Sequence, residues 1–246
     1  MNVLVLGQSP RASSLIEALS VSSTHRVLPG QPTAEETIDV VVLAELTEEL
    51  VTEALNLLET GLPLVIIAGP DLSPALVHRI GLVAETTGTP LVTWLPTVGD
   101  SGQFQDETRG EMTHVQIDRR SGLDHEDLLF DDLAVLLQVA GRFTQVTATL
   151  TQDPGQSVTN ATVTLTRKDN LTAGWTLRSG QAEPSRRILI AGTNGETELV
   201  DDESGPSSSS LDVIERLTGH VSFDELVDIV ETLDAVREAA RRRRTI

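Results

Sequence analysis

Two different hydrophobic periods divide this 246-residue chain near Pro96, and they constrain its fold more than any other feature. Up to Trp94, short unbroken apolar runs recur at Val3–Leu6, Ile38–Ala44, Leu64–Ala68 and Leu91–Trp94, with a weaker one at His25–Leu28. Helical patterns lie between them at Pro10–Ser20, Thr47–Glu59 and Ser73–Thr86. Strands that are apolar on both sides and joined through helices predict a parallel sheet covered on both faces. Right-handed crossovers then make it a doubly wound, Rossmann-like layer.

Beyond Pro96 a polar loop (97–110) leads into a predicted strand, Met112–Asp118, and a helix, Glu126–Ala140. Strict alternation follows. Val146, Ala148 and Leu150 oppose Thr147, Thr149 and Thr151, and Ala161, Val163 and Leu165 oppose Thr162, Thr164 and Thr166. The same period recurs with Leu171, Ala173, Trp175 and Leu177 against Thr172 and Thr176. Period two in successive runs predicts an antiparallel sheet with one buried face. Arg187–Ala191 and Glu196–Val200 flank Gly192-Thr-Asn-Gly195, where Asn-Gly signals a hairpin. A flexible acidic-serine stretch (201–210) precedes an amphipathic helix over Ser222–Arg243, with Ser222 as cap and Glu225 three residues on. The expected fold class is α/β: a shortened Rossmann-like doubly wound parallel sheet over residues 1–98. An α+β domain over 99–246 follows, with an open, mainly antiparallel sheet and a C-terminal helix at 222–243. Its threonine face has two readings, a solvated surface or a sheet-on-sheet homo-oligomer interface.

Composition narrows the chemistry. With one lysine, Lys168, against seventeen arginines, and neither cysteine nor tyrosine, thiol catalysis, a tyrosine acid/base and disulfides are excluded. A net charge of −19 argues against nucleic-acid and anionic-membrane partners. The longest apolar runs fall far short of a membrane span, and MNVLVLGQSP reads as a strand and not as a leader, so the expected location is cytoplasmic. The basic cluster Arg241–Arg244 ends the last helix, where cations meet the negative end of the helix dipole. Among the histidines, His125 lies in Asp124-His-Glu-Asp127, a cluster with ligand types suited to zinc or manganese, although acidic helix starts are common without a metal.

The order of segments resembles the Gfo/Idh/MocA (glucose–fructose oxidoreductase/inositol dehydrogenase-like) family. LVTEALNLLETGLPLVIIAGP (50–70) parallels a family helix that ends at a glycine and feeds a strand finishing Glu-Lys-Pro, with Gly61 and Pro70 in place. RRILIAGTNGETELV (186–200) is similar to a family hairpin, and ETLDAVREAARRRRTI to its terminal helix. The resemblance implies a Rossmann domain, a nicotinamide dinucleotide, a sugar or polyol substrate and a lysine that works with a helix-borne histidine.

The functional positions depart from that pattern one by one. The glycine-rich turn after the first strand keeps Gly7, with Ser9 and Ala12 as the small residues of Gly7-Gln-Ser-Pro-Arg-Ala12. Arg11 is open to two readings, a phosphate contact or an exposed helix arginine. The second strand ends Leu28-Pro29-Gly30, with no carboxylate before Glu35 for a ribose. Nine residues (29–37) separate it from the third run, so the usual further helix and strand are missing. Leu50 stands at the family's helix-start histidine and Gly69 at its lysine, while Lys168 falls in a polar turn. Asp131 aligns with the catalytic histidine of the later helix, Asp132 with an adjacent acid, and Ala134 with a further aspartate. An aspartate accepts protons near neutral pH only when its surroundings raise its pKa. Near a helix start, both acids are also explained as dipole partners. The leading expectation is a degenerate oxidoreductase homologue acting as a binding, regulatory or partner subunit, without cofactor or metal and open to a small-molecule ligand. The alternative is an active NAD- or NADP-dependent oxidoreductase using Asp131, Asp132 or His125. A metal-assisted enzyme at Asp124–Asp127 is a third reading.

Overall fold

Branched, fully apolar runs at the N-terminal end pair as predicted into a five-stranded parallel sheet. A computed structural model describes residues 1–28, 37–95, 110–152, 158–179, 184–201 and 221–243. The expected acidic position after the second strand, most of the polar loop 97–110, the serine-rich stretch after Asp201, His220 and Arg244 lie outside them. The chain divides into two compact units, Met1–Gly99 with Pro206–Val227 and Asp100–Gly205 with Asp228–Ile246.

In the first unit, β1 (Asn2–Leu6), β2 (Arg26–Leu28), β3 (Val40–Leu43), β4 (Leu64–Ile67) and β5 (Leu91–Trp94) run parallel in the order β2-β1-β3-β4-β5. Alternate residues of each strand feed opposite cores. Val3, Val40, Val42, Val65 and Ile67 pack with Ala12, Leu15 and Leu19 of the first helical segment. Leu4, Leu6, Val41, Leu43, Leu64 and Ile66 pack on Val51, Ala54, Leu55, Leu58, Ile80 and Ala84. Helix α1 (Ser13–Val21) thus covers one face, and α2 (Glu48–Glu59) and α3 (Pro74–Thr87) the other. Caps set the helix starts: Thr47 and Ser73 each accept from the backbone three residues on, and Pro74 occupies the first turn of α3. Pro10–Ala12 forms a 3-10 turn, so α1 begins three residues later than the periodicity predicts. The standard dinucleotide fold has strand order 3-2-1-4-5-6. Among the described residues this sheet has a single strand, β2, outside β1, where the sequence also lacks room for another helix and strand.

The second unit contains a six-stranded sheet, ordered β11-β10-β6-β9-β8-β7. Its strands are β6 (Met112–Arg120), β7 (Gln145–Gln152), β8 (Val158–Thr166), β9 (Thr172–Arg178), β10 (Ser185–Gly192) and β11 (Gly195–Asp201). All pairs are antiparallel except β6–β9, so the sheet is mixed where alternation alone predicts an antiparallel one. Its inner face buries Val115, Ile117, Val163, Trp175, Leu177, Ile188 and Ile190, and α4 (His125–Ala140) packs on β6 and β9. Helix α5 (Phe223–Arg243) starts with the predicted capping box. Glu225 N–H donates to Ser222 Oγ (3.2 Å) and Ser222 N–H to Glu225 Oε2 (2.7 Å).

Candidate functional site

Parallel α/β sheets hold ligands outside the carboxyl ends of their strands, where the strand order reverses. In the first unit that point lies between β1 and β3. Gly7 leaves β1 with a φ of +79°, a conformation that favours glycine. A side chain there would also have no room. A Cβ would come within 2.3 Å of Glu45 Cβ and 2.8 Å of Leu50 Cδ1. Glu45, just past β3, turns its carboxylate onto this turn, and Gln8 N–H donates to its Oε2 (3.3 Å). Ser9 caps the 3-10 turn by accepting from Ala12 N–H (3.2 Å), and Ala12 is buried in the core. The one glycine left of the fingerprint is therefore accounted for by close packing of Glu45 and Leu50. One backbone donor that could meet a pyrophosphate here, Gln8 N–H, faces a carboxylate.

The end of β4 is also occupied from within the chain. Arg11 Nη1 donates to the Ala68 carbonyl (3.4 Å), and its Cδ lies 3.4 Å from where a Gly69 Cβ would stand. Arg11 is thus neither a simple exposed helix arginine nor separate from the crevice: its guanidinium lies across the position that resembles the family's lysine. At the end of β5, Trp94 is 1% exposed and its Nε1 has no acceptor among the described residues.

The second unit places the other candidates. Asp131 and Asp132 lie in the second turn of α4, both buried, so the dipole of the helix start does not explain them. Asp132 is fully enclosed. Arg119 donates to it twice (Nε to Oδ2 2.7 Å, Nη2 to Oδ1 3.0 Å), and Trp175 Nε1 donates to Oδ2 (2.8 Å). Arg186 Nη2 lies 2.8 Å from Oδ1. A carboxylate so filled is a charge anchor under the sheet. Sequence reasoning missed both arginines, although parity carried the signal: Arg119 shares the inward face of Val115 and Ile117, and Arg186 that of Ile188 and Ile190.

His125 opens α4 half-buried, with Nδ1 3.8 Å from Asp124 Oδ2. Asp124 is the N-cap, accepting from Glu126 N–H (2.8 Å), while Glu126 takes Arg237 Nε (3.2 Å). Two of the four Asp124–Asp127 side chains are thus committed to a cap and an ion pair. Among the described residues no three His, Asp or Glu side chains converge as a metal-holding group. Lys168 is exposed in the β8–β9 turn, beside Asn170 at φ 67°. In that turn Arg167 Nε donates to Asp169 Oδ1 (2.7 Å), and this bond draws the Asp169 carboxyl down to about 2.

No protein-family model matches the chain, and no curated protein sequence does. Solved structures do match over nearly its whole length. The WlbA dehydrogenase of Chromobacterium violaceum, in complex with NADH and UDP-GlcNAcA, aligns with a TM-score of 0.79 at 11% identity, covering 98% of this chain and 94% of that one. A myo-inositol dehydrogenase of Corynebacterium glutamicum aligns at 0.74 and 13% identity, covering 98% and 97%. GenD2 of gentamicin A biosynthesis, in complex with NAD, aligns at 0.74 and 16%, covering 98% and 94%. At such identities the likeness is one of fold. The chain has the fold of the Gfo/Idh/MocA-type dehydrogenases.

Proposed function

We propose that this chain is an oxidoreductase-like protein whose dinucleotide crevice is filled by its own side chains, and that it works as a binding, regulatory or partner subunit without hydride transfer. One observation carries this reading: Glu45 seals the Gly7–Gln8 turn with a carboxylate. A phosphate brought there meets like charge where the fold otherwise offers amide donors. Gly69 with Arg11 laid against it, Leu50 at the helix start and Asp131 in the later helix stand where the resembled family has its lysine and two histidines. The test is turnover. Purified protein incubated with NAD or NADP and a panel of polyols and sugars should produce no reduced nicotinamide, whereas steady production lost in Asp131→Asn or His125→Gln would overturn the reading.

A second reading, an active NAD- or NADP-dependent oxidoreductase on a sugar or polyol, is favoured by the nucleotides named with GenD2 and WlbA. The buried Trp94 Nε1, without an acceptor among the described residues, supports a small-molecule ligand at the same sheet edge under either reading. For the partner, we favour a second copy docking on the threonine half of the outer sheet. There Thr147, Thr149 and Thr151 of edge strand β7 and Thr162 and Thr164 of β8 lie exposed side by side.

A further inference from the structure

Successive residues of a strand point to opposite faces, so Arg119 and Arg120 at the end of β6 carry their charges to opposite sides of the sheet. On the inner side, Arg119 stands opposite Arg186 of β10, and both reach the carboxylate of Asp132. On the outer side, Arg120 stands opposite Arg178 of β9 in the parallel register. Both are exposed, and neither makes an ion pair or side-chain hydrogen bond among the described residues. Two guanidiniums on directly paired positions repel, weakly across water, and an anion between them is attracted by both.

The surroundings are built for one. Arg120 and Arg178 line a concave pocket of about 370 Å³ together with Asp118, Thr176, Ser185 and Arg187. Ser185 pairs with Arg120 on the other side, and its hydroxyl has no partner among the described residues. The acids nearby are already engaged. Asp118 stands opposite Arg187 and accepts from Gln116 Nε2 (2.9 Å) and from the Thr176 hydroxyl, while Glu198 is bound by Arg187 Nε (2.7 Å). Asp118, Glu196 and Glu198 all act on Arg187, which leaves Arg120 and Arg178 as the two guanidiniums of the pocket without a carboxylate partner among the described residues.

We propose that this pocket binds the phosphate group of a small phosphorylated molecule, clamped between Arg120 and Arg178 with Ser185 donating to a third oxygen. A phosphate dianion neutralises both guanidiniums and offers the several acceptor oxygens that paired arginine forks recognise, which a single carboxylate does not. Every residue of this pocket belongs to the second unit and none to the Gly7–Gln8 turn, so the proposal stands or falls independently of the function proposed above.

The experiment is an NMR titration of the arginine Nε–Hε signals with inorganic phosphate, and with acetate as the carboxylate control. Phosphate is expected to shift Arg120 and Arg178 saturably at millimolar concentration, and acetate to do so far more weakly. Arg120→Gln and Arg178→Gln should each weaken phosphate about tenfold or more, the loss expected for a charged hydrogen-bond partner, while Arg242→Gln leaves it unchanged. Shifts that rise linearly on every exposed arginine, or binding that survives both substitutions, would overturn the proposal. So would a phosphate-insensitive dimer that Arg120→Gln dissociates, since the pocket would then belong to a second copy.

Discussion

Replacing Asp132 with alanine removes a carboxylate that two buried guanidiniums reach. Asp132 is 0% exposed, Arg119 and Arg186 are 6% exposed each, and Trp175 Nε1 loses the carboxylate oxygen to which it donates. Breaking a buried ion pair from one side costs roughly 3–5 kcal/mol, because the remaining charge is left uncompensated. The stranded indole N–H adds to that cost but relaxes in part, so a total of about 4 kcal/mol is expected. With a urea slope of about 2 kcal/mol/M, the unfolding midpoint of the second unit should fall by about 2 M. Trp175 is one of only two tryptophans, and its fluorescence reports this site directly. Asp132→Asn, which keeps an acceptor without the charge, should fall between wild type and alanine. Replacing Arg119, Asp132 and Arg186 together with apolar residues of similar volume should recover most of the loss. A loss under about 1 kcal/mol for Asp132→Ala would refute the anchor. A normally stable Asp132→Asn that abolishes a measured turnover would instead make Asp132 a proton-handling group.

Gly7→Ala should destabilise by about 2–4 kcal/mol, through left-handed strain and the collision with Glu45, and thermal unfolding should show this with or without added nucleotide. The Asp169 carboxyl, lowered to about 2 by the Arg167 hydrogen bond, keeps its charge until pH falls through about 2. The contribution of the pair is then present above the unfolded pKa and lost on acidification through the folded one, and it stays small because the pair is exposed. Carbon NMR should place the midpoint there, and Arg167→Gln should return it towards 3.8. Light scattering should find a dimer at micromolar concentration that Thr149→Glu with Thr162→Glu dissociates; a wild-type monomer would contradict the threonine interface.

The parallel layer was legible because strands buried on both faces leave unbroken apolar runs, and Thr47, Ser73 and Ser222 marked helix starts that the structure realises. The second sheet was legible from alternation, but β6 runs two residues past its predicted end at Asp118. Those residues are Arg119, whose charge disguises an inward position, and Arg120, which faces outward. Hydrophobic patterning scores any arginine as solvent-facing, so a charge neutralised by a distant helix residue is invisible to it. Glu45 was missed for a related reason. Nothing in Ala44-Glu45-Leu46 signals that its carboxylate lies on a turn 37 residues earlier, because that contact exists only once β1 and β3 are paired. Arg11 was visible as a residue near the crevice, but its seat against Ala68 and Gly69 depends on the order of β1, β3 and β4.

The central claim is that the chain's own side chains hold the dinucleotide site. Titrating the intact protein with NADH and NADPH, and reading energy transfer from tryptophan to the nicotinamide, tests it most directly. The account predicts no saturable signal up to millimolar nucleotide. Micromolar binding of either nucleotide to the wild-type chain would contradict it.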